Sequence, residues 1–554
     1  MHAHAKAPTS APGSVEVLRL RSGATTARVG DVWLEDPVDP VAQARAFMSP
    51  EEAQELDAVV LFGAGTGHRV ARLRELGIRH IVVMEPFDVL RELARGPLLP
   101  RFEGTFLAGD DAELSDAVAA AMTTPERIRL VSSRGYATLF PDFEARCQGA
   151  TREGLAFGEV QFNTLRYRTP LSAKQLAENV RRLTGTVKLA SLGRPLEGTP
   201  AFIVSAGPSL DGNVHLVGEA AKRGAVFAVN TAAKAVEHAG GTVDMLCALE
   251  SLPHAHQLAV SARALLLDLS THAASFAVDV EPKLVGFGAA GGEHVARHLP
   301  MPRFESAGNV ANLALRACLL WGADPIVLIG QDCAFPGGRL YASHCGRDMW
   351  RARVEGDVAH FEVDEDVWRL FSDHDIPAPR HSPALSLPRW GDSEGRVASA
   401  PAFANVAKYL HLVQQREAGE RRLVNATEGG AHIAGWEETP LAALLEELPV
   451  RAHGLHEAIA AAPRFSDAEV GRARRALQSE LHAVEKAATQ CLQRKGSARD
   501  RASQRLRSAA AKAPLVNGYA SGELLELRRT SPQDRTKRTF QIIQRAARTL
   551  GRAV

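Results

Sequence analysis

No stretch of this 554-residue sequence approaches the ~18 uninterrupted apolar residues that a membrane-crossing helix needs, so no transmembrane segment is expected. The first residues, MHAHAKAPTSAPGS, lack the apolar centre of a signal peptide and read as a disordered start. Cysteine is scarce. Cys147, Cys247, Cys318, Cys333, Cys345 and Cys491 lie far apart with no CxxC pair, which argues against a disulfide framework and a structural zinc site and fits a reducing cytoplasm. Net charge is nearly absent at +1, yet from Arg451 onward 21 Lys/Arg face 9 Asp/Glu. An acidic partner and ordinary solvated helix faces explain that basic tail equally well, and nucleic acid is the weaker reading.

What is present is a soluble globular composition, 45% hydrophobic and 23% charged, long enough for three domains at roughly 150 residues each. The first strand–loop–helix unit is AVVLFGAGTGHRVARLRELGIRHIVVMEP, with a strand over Ala58 to Phe62, a turn built on Gly63, Gly65 and Gly67, a helix, and a second strand ending at Glu85. This is a Rossmann-like half. Glycines after a strand let backbone amides approach a phosphate, and an acidic residue ending the next strand can accept ribose hydroxyls. The same glycines equally serve a tight turn with close helix–sheet packing, since GxGxG lacks the last glycine of the dinucleotide fingerprint. Tyr167 to Leu183 reads as a connecting helix.

A second α/β series starts at Pro200, with short, continuously apolar strands near 201–206, 225–229 and 243–249, as expected of a parallel sheet covered on both faces. LLLDLS and KLVGFG are further candidate strands. In SAGNVANLALRACLLWGADPIVLIGQD, Val310, Leu313, Ala314, Ala317 and Trp321 keep helical spacing, and Gly322 stands where a C-cap belongs. Beyond Phe335 the pattern turns loop-rich, a helix is expected over Ala400 to Tyr409, and a turn-rich segment follows. The last hundred residues read as a helical bundle broken at Pro463, near Gly496 and at Pro514 to Gly522. The predicted division is a disordered 1–30, a Rossmann-like domain over 31–165, a central nucleotide-sugar-binding α/β domain over 166–445, and a basic helical region over 446–554.

Open parallel sheets bind ligands beyond the carboxyl ends of their strands. Here those ends carry Ser205-Ala206-Gly207-Pro208-Ser209-Leu210-Asp211, Asn230-Thr231, Glu250-Ser251 and Gly330-Gln331-Asp332. Gly207 leaves room for a nucleotide, Pro208 stiffens the turn, and Ser209 sets a hydroxyl beside helix N-terminal amides. Asn230 offers a donor and an acceptor together, and Ser306-Ala307-Gly308-Asn309 opens another helix that could take a phosphate oxygen. Each of these residues alone could be a helix cap or turn former. Their concentration at four strand ends favours a shared site.

The order AFIVSAGPSLD, AVNTA, NVANLALRACLLWGADPIVLIGQDCAFPGGRLYASH and VNATEGGAHIAGWEETPL resembles the motility associated factor glycosyltransferases and the related 6-hydroxymethylpterin diphosphokinase-like domains, over about residues 30 to 445. The resemblance implies a sialyltransferase-like central fold. Small bacterial sialyltransferases share a GPSL turn and an Asn after the second strand that hold CMP, so Gly207, Pro208, Ser209, Leu210 and Asn230 are the matching positions. Glu250 stands where the family often has Asp. The implied reaction moves a nonulosonic, sialic-acid-like sugar from a CMP donor to Ser/Thr hydroxyls of a protein such as flagellin, by inverting displacement, with no obligatory metal. Helix N-termini would stabilise the leaving phosphate while a general base takes the hydroxyl proton. His344, in the Gly-rich PGGRLYASH loop, is the candidate base, and Asp332 its rival as base or acceptor-positioning group.

The diphosphokinase branch implies instead ATP-dependent pyrophosphate transfer to a pterin, with magnesium held by oxygens such as those of Asp332, Glu250 and Asp211. The large extra regions at both ends weigh against it. A third expectation is a non-catalytic nucleotide-binding assembly protein, against which the intact GPSLD turn counts.

Overall fold

The computed structural model describes residues 14–554 other than 97–98, 103, 122–126, 254, 306–307, 365–379, 418 and 528–531. Residues 1–13 of the expected disordered start therefore lie outside the described residues. The rest of that stretch is ordered: β1 (Val15–Arg19), β2 (Thr25–Val29) and β3 (Val32–Trp33) form an antiparallel sheet. Ala27 and Val29 belong to a hydrophobic core, which is why this apparently polar segment folds.

Two compact units divide the chain at Phe162/Asn163. In the first, β4 (Ala58–Phe62), β5 (His80–Met84), β6 (Phe106–Ala108) and β7 (Ile128–Ser132) form a parallel sheet in the order β6-β5-β4-β7. Val60, Phe62, Val82 and Met84 feed one core, while Val59, Leu61, Ile81 and Val83 feed another. Both faces are thus covered, and the strands read as unbroken apolar runs rather than alternating ones.

The second unit opens on helical turns through Asn179, so the expected connecting helix forms. Its sheet contains β8 (Ala201–Val204), β9 (Ala225–Val229), β10 (Met245–Ala248), β11 (Leu265–Asp268), β12 (Lys283–Gly286) and β13 (Ile326–Ile329). Beyond β13 the expected loop holds antiparallel ribbons, made by β14 (Arg351–Glu355), β15 (Val358–Glu362), β16 (His381–Pro383), β17 (Leu385–Arg389) and β18 (Asp392–Ser399). They cover a small cluster around Phe335 and Trp350. The helix expected at Ala400 runs over Pro401–Glu417, and the turn-rich segment after it returns to the main sheet as β19 (Leu423–Asn425) and β20 (Glu437–Glu438).

All eight strands of that sheet are parallel, in the order β12-β11-β10-β9-β8-β13-β19-β20. The chain winds outward from β8 to β12, then returns to place β13 on the other side of β8. That reversal makes β8/β13 a topological switch point, where a crevice opens above the strand ends.

The C-terminal region is helical as expected, in segments Leu455–Ala461, Asp467–Gln493, Gly496–Lys512, Pro514–Leu527 and Pro532–Ala553. Ser466 starts the longest of these by accepting the Glu469 N–H, while the Glu469 carboxylate accepts the Ser466 N–H, a capping box. Pro514 does not end a helix but begins one, where its missing N–H costs nothing, and that helix passes through Gly522 unbroken.

Candidate functional site

At the switch point, Ser205 N–H donates to Ile329 O and Gly207 N–H donates to Gly330 O, both at 2.8 Å, so the first strand's turn is stitched to the end of β13. The Ser205 hydroxyl bonds Gln331 Oε1 at 2.7 Å. Asp332 sits at the centre. Its Oδ1 accepts from Ser209 Oγ at 2.6 Å and its Oδ2 from Ser209 N at 3.2 Å. Only 2% of Asp332 is exposed, and burial pushes its carboxyl up to about 6 against the pull of those two hydrogen bonds. A carboxylate tuned near neutrality in a crevice has the acidity a general base needs.

The segment after β19 completes the floor. Thr427 Oγ1 accepts the Gln331 N–H at 3.1 Å, and Ala431 N donates to Asp332 O at 2.7 Å. A Cβ on Gly429 would stand 2.1 Å from Ser209 Oγ, and one on Gly430 would stand 2.3 Å from Asp332 O, so only glycine lets this backbone reach the pair.

Asn230, at the end of β9, is buried. Its Nδ2 donates to Gln257 Oε1 at 2.5 Å, whereas Oδ1 has no hydrogen-bond partner among the described residues. A buried amide oxygen left open is an acceptor waiting for a ligand N–H or O–H. Across the crevice begins the eleven-residue helix Val310–Leu320, capped by Asn309, whose Oδ1 accepts the N–H groups of Ala311 and Asn312. Gly207, Asn230, Asn309 and Asp332 thus line one cleft of about 180 Å³, joined by Tyr341 and Phe403.

The remaining expected site residues fall elsewhere. Leu210 is fully buried beneath Gly330, and Pro208 is buried in the turn; both shape the loop rather than face the cleft. The helix after Ser209 is a single turn, Leu210–Asn213, so the longer Val310–Leu320 helix supplies the stronger N-terminal field. Glu250 stands two strands from the switch point and pairs with Arg168 at 2.6 Å. Gly308 is exposed, with φ of +75°, and Ser306 lies outside the described residues. His344 is exposed with φ of +61°, its ring stacked on His238 at 3.7 Å, and is not among the residues lining the cleft. Asp211 anchors the Pro336–His344 loop, accepting Ser343 N–H at 2.8 Å and Arg339 Nη2 at 2.6 Å. Gln257 was not singled out from sequence; Gln331 was read only as part of the Gly330-Gln331-Asp332 strand end, and Thr427 and the Gly429-Gly430 pair only within VNATEGGAHIAGWEETPL. The signal for the last was available: two glycines directly beyond a short apolar run ending in Asn425.

In the first unit the Gly-rich turn is closed by its own side chains. Ala64 N donates to Glu85 Oε2 at 3.2 Å, Gly65 N to the Tyr136 hydroxyl at 3.0 Å, and Thr66 N to Glu35 Oε2 at 2.8 Å. The amides that would meet a phosphate are therefore spent on carboxylates and a phenol. A Cβ on Gly63 would stand 2.2 Å from the Tyr136 ring and one on Gly65 2.5 Å from Glu35, which assigns the glycines to packing. Burial raises the Glu85 carboxyl to about 7. A folded-state value above the ordinary 4.5 means that stability is fully present below 4.5 and is lost as pH rises through 7, by about 3 kcal/mol. Scanning calorimetry should find the wild type losing more stability than Glu85→Gln between pH 5 and pH 8; equal losses would contradict this assignment.

No curated protein matches the chain. Residues 174–338 match the family model described as 6-hydroxymethylpterin diphosphokinase MptE-like. Among solved structures, the MAf glycosyltransferase from Magnetospirillum magneticum AMB-1 is similar with a TM-score of 0.56 and 15% identity, over 97% of this chain and 90% of that one. Among the described residues, no helix is long and apolar enough to cross a membrane. The chain thus carries an MptE-like domain at residues 174–338, set within the fold of a MAf glycosyltransferase.

Proposed function

We propose that the chain is a glycosyltransferase that moves a nonulosonic sugar from a CMP donor to a Ser or Thr hydroxyl of a protein, with flagellin the acceptor suggested by the sequence resemblance. The observation that carries this reading is the buried Asp332 carboxylate lining the same cleft as the open Asn230 acceptor at the switch point. Asn230 Oδ1 accepts a hydrogen bond from the cytosine amine or a ribose hydroxyl. The start of the Val310–Leu320 helix faces the departing phosphate, where a partial positive charge stabilises the leaving group. Asp332 takes the proton of the acceptor hydroxyl as its oxygen attacks the anomeric carbon and the bond to CMP breaks, inverting that centre. The cleft, about 180 Å³, is smaller than the roughly 300–1,000 Å³ usual for ligand sites, so donor entry lifts the Pro336–His344 loop that Asp211 fastens. The similarity to a MAf glycosyltransferase supports this reading.

The name of the matched family model favours one other reading, pyrophosphate transfer from ATP to a pterin with magnesium. Calorimetry with CMP and with ATP plus magnesium separates the two. CMP is expected to bind without metal, and Asn230→Ala to weaken it at least tenfold, the equivalent of about 1.4 kcal/mol. Magnesium-dependent ATP binding with CMP ignored would move the chain to the pterin reading.

A further inference from the structure

Far along the sheet from the cleft, the chain leaves β12 and turns into the helix Gly292–Ala296, whose hydrogen bonding continues through His298 N–H to Val295 O at 2.9 Å. His294 and His298 are therefore an i, i+4 pair on one helical face, a spacing that points two imidazoles at one ion. Glu480, on the helix Asp467–Gln493, comes to meet them. Its Oε2 lies 2.6 Å from His294 Nε2 and its Oε1 lies 3.3 Å from His298 Nε2, and one ligand atom from each of the three falls within 4.8 Å of the others.

The His294 side chain is wholly buried, which fixes its Nε2 toward Glu480; its Nδ1, on the far edge of the ring, has no partner among the described residues. His298 Nε2 is buried too, and at 3.3 Å from a carboxylate oxygen it is only loosely engaged by it. Zinc–ligand bonds of ~2.0–2.1 Å set tetrahedral ligand atoms roughly 3.3 Å apart. The His298–Glu480 pair already has that separation, and His294 need retreat only by a fraction of an ångström. His298 also borders a cavity of about 380 Å³, which leaves an open side for a fourth ligand. Arg297 Nη2, 3.8 Å from the same carboxylate, donates instead to the Lys512 carbonyl, which keeps it out of the first ring of ligands.

We propose that His294, His298 and Glu480 form a binding site for a borderline divalent transition metal, zinc foremost, with water in the fourth position. Two imidazoles and one carboxylate are a donor set for zinc rather than for magnesium or calcium. The bound ion ties the chain after β12 to the longest C-terminal helix. A second carboxylate flanked by histidines, Asp244 with His453 and His456, serves as an internal control. There Oδ1 is engaged by His456 at 2.8 Å and Oδ2 by the Val226 N–H at 2.9 Å, a backbone bond that fixes the carboxylate, although His453 Nδ1 has no partner among the described residues.

Full-length protein stripped with chelator would be titrated with zinc chloride by calorimetry, and its metal content measured after dialysis. One equivalent of zinc is expected in the wild type and in His456→Ala. In His298→Ala and Glu480→Gln the affinity should fall by about 100-fold or more, beyond the roughly 10–100-fold that loss of an outer-shell partner costs. Millimolar magnesium should not displace the ion. His298 is partly exposed and its replacement is the decisive variant, with folding checked by circular dichroism, if Glu480→Gln proves unstable. A wild type that takes up no zinc, or zinc that survives His298→Ala and is lost in His456→Ala, overturns the proposal.

Discussion

Asp332→Asn is expected to lower kcat by about 10²–10⁴-fold, the usual worth of a positioned general base. Because the carboxyl stands at about 6 and only its ionised form accepts a proton, wild-type kcat/KM should fall tenfold per pH unit below that value and level off above it. Ser209 donates twice to the ionised form, so Ser209→Ala should shift this acid limb to higher pH. Stability moves the other way. A folded-state value above the ordinary 3.8 means that Asp332 costs the native state increasingly as pH rises from 3.8 through 6, up to about 3 kcal/mol at neutrality. Asparagine escapes that cost while keeping one acceptor for Ser209, so the inactive variant should melt no lower than wild type at pH 7.5. An active Asp332→Asn protein with an unchanged pH profile would remove Asp332 from the chemistry and leave it as the clasp of the Ser209 turn.

Strands β4, β5 and β8 to β13 were legible in sequence because burial on two faces writes them as unbroken apolar runs, and the polar residues just beyond them marked the edge where a site would lie; β6, β7, β19 and β20 were not, since β7 has no fully buried position and β20 is only Glu437-Glu438. Sequence could not say which strand ends become neighbours. Glu250 ends β10, yet the sheet order sets it two strands from β8, whereas β13, more than 120 residues along the chain, becomes the partner of β8. Proximity along the chain also misled at His344. Its left-handed backbone turns it onto His238, although Leu340 and Tyr341 just before it do reach the cleft. In the first unit, GAGTG reads as a phosphate turn until Glu35 and Tyr136, 31 and 71 residues away from their partners, fold onto its amides. The ribbons between Arg351 and Ser399 escaped notice because strands such as RARVE and DSEGRVAS keep mostly exposed or half-exposed positions and carry little apolar periodicity.

Gly207→Ala should be as damaging as the loss of Asp332 itself, for a different reason. The new methyl would stand 2.0 Å from Asp332 Oδ2 and 2.6 Å from Gly330 O. Neither neighbour can yield. Asp332 is held by Ser209 on its carboxylate and by Ala431 N–H on its carbonyl, while Gly330 has φ of +65° and already lies against Ser205 O. Overpacking of this kind costs about 1–3 kcal/mol, and displacing a reacting group by about 1 Å costs roughly 100-fold in rate. The expected outcome is a folded protein with a lowered melting temperature, kcat/KM down by about two orders of magnitude, and an acid limb moved away from pH 6 as Asp332 loses its bonds to Ser209. Gly212→Ala supplies the contrast, because nothing lies within 4 Å of its Cβ and it sits in the next helical turn. It should melt and turn over as wild type does. Equal behaviour of the two variants would mean that the close approach of Gly207 to Asp332 is not what sets the site.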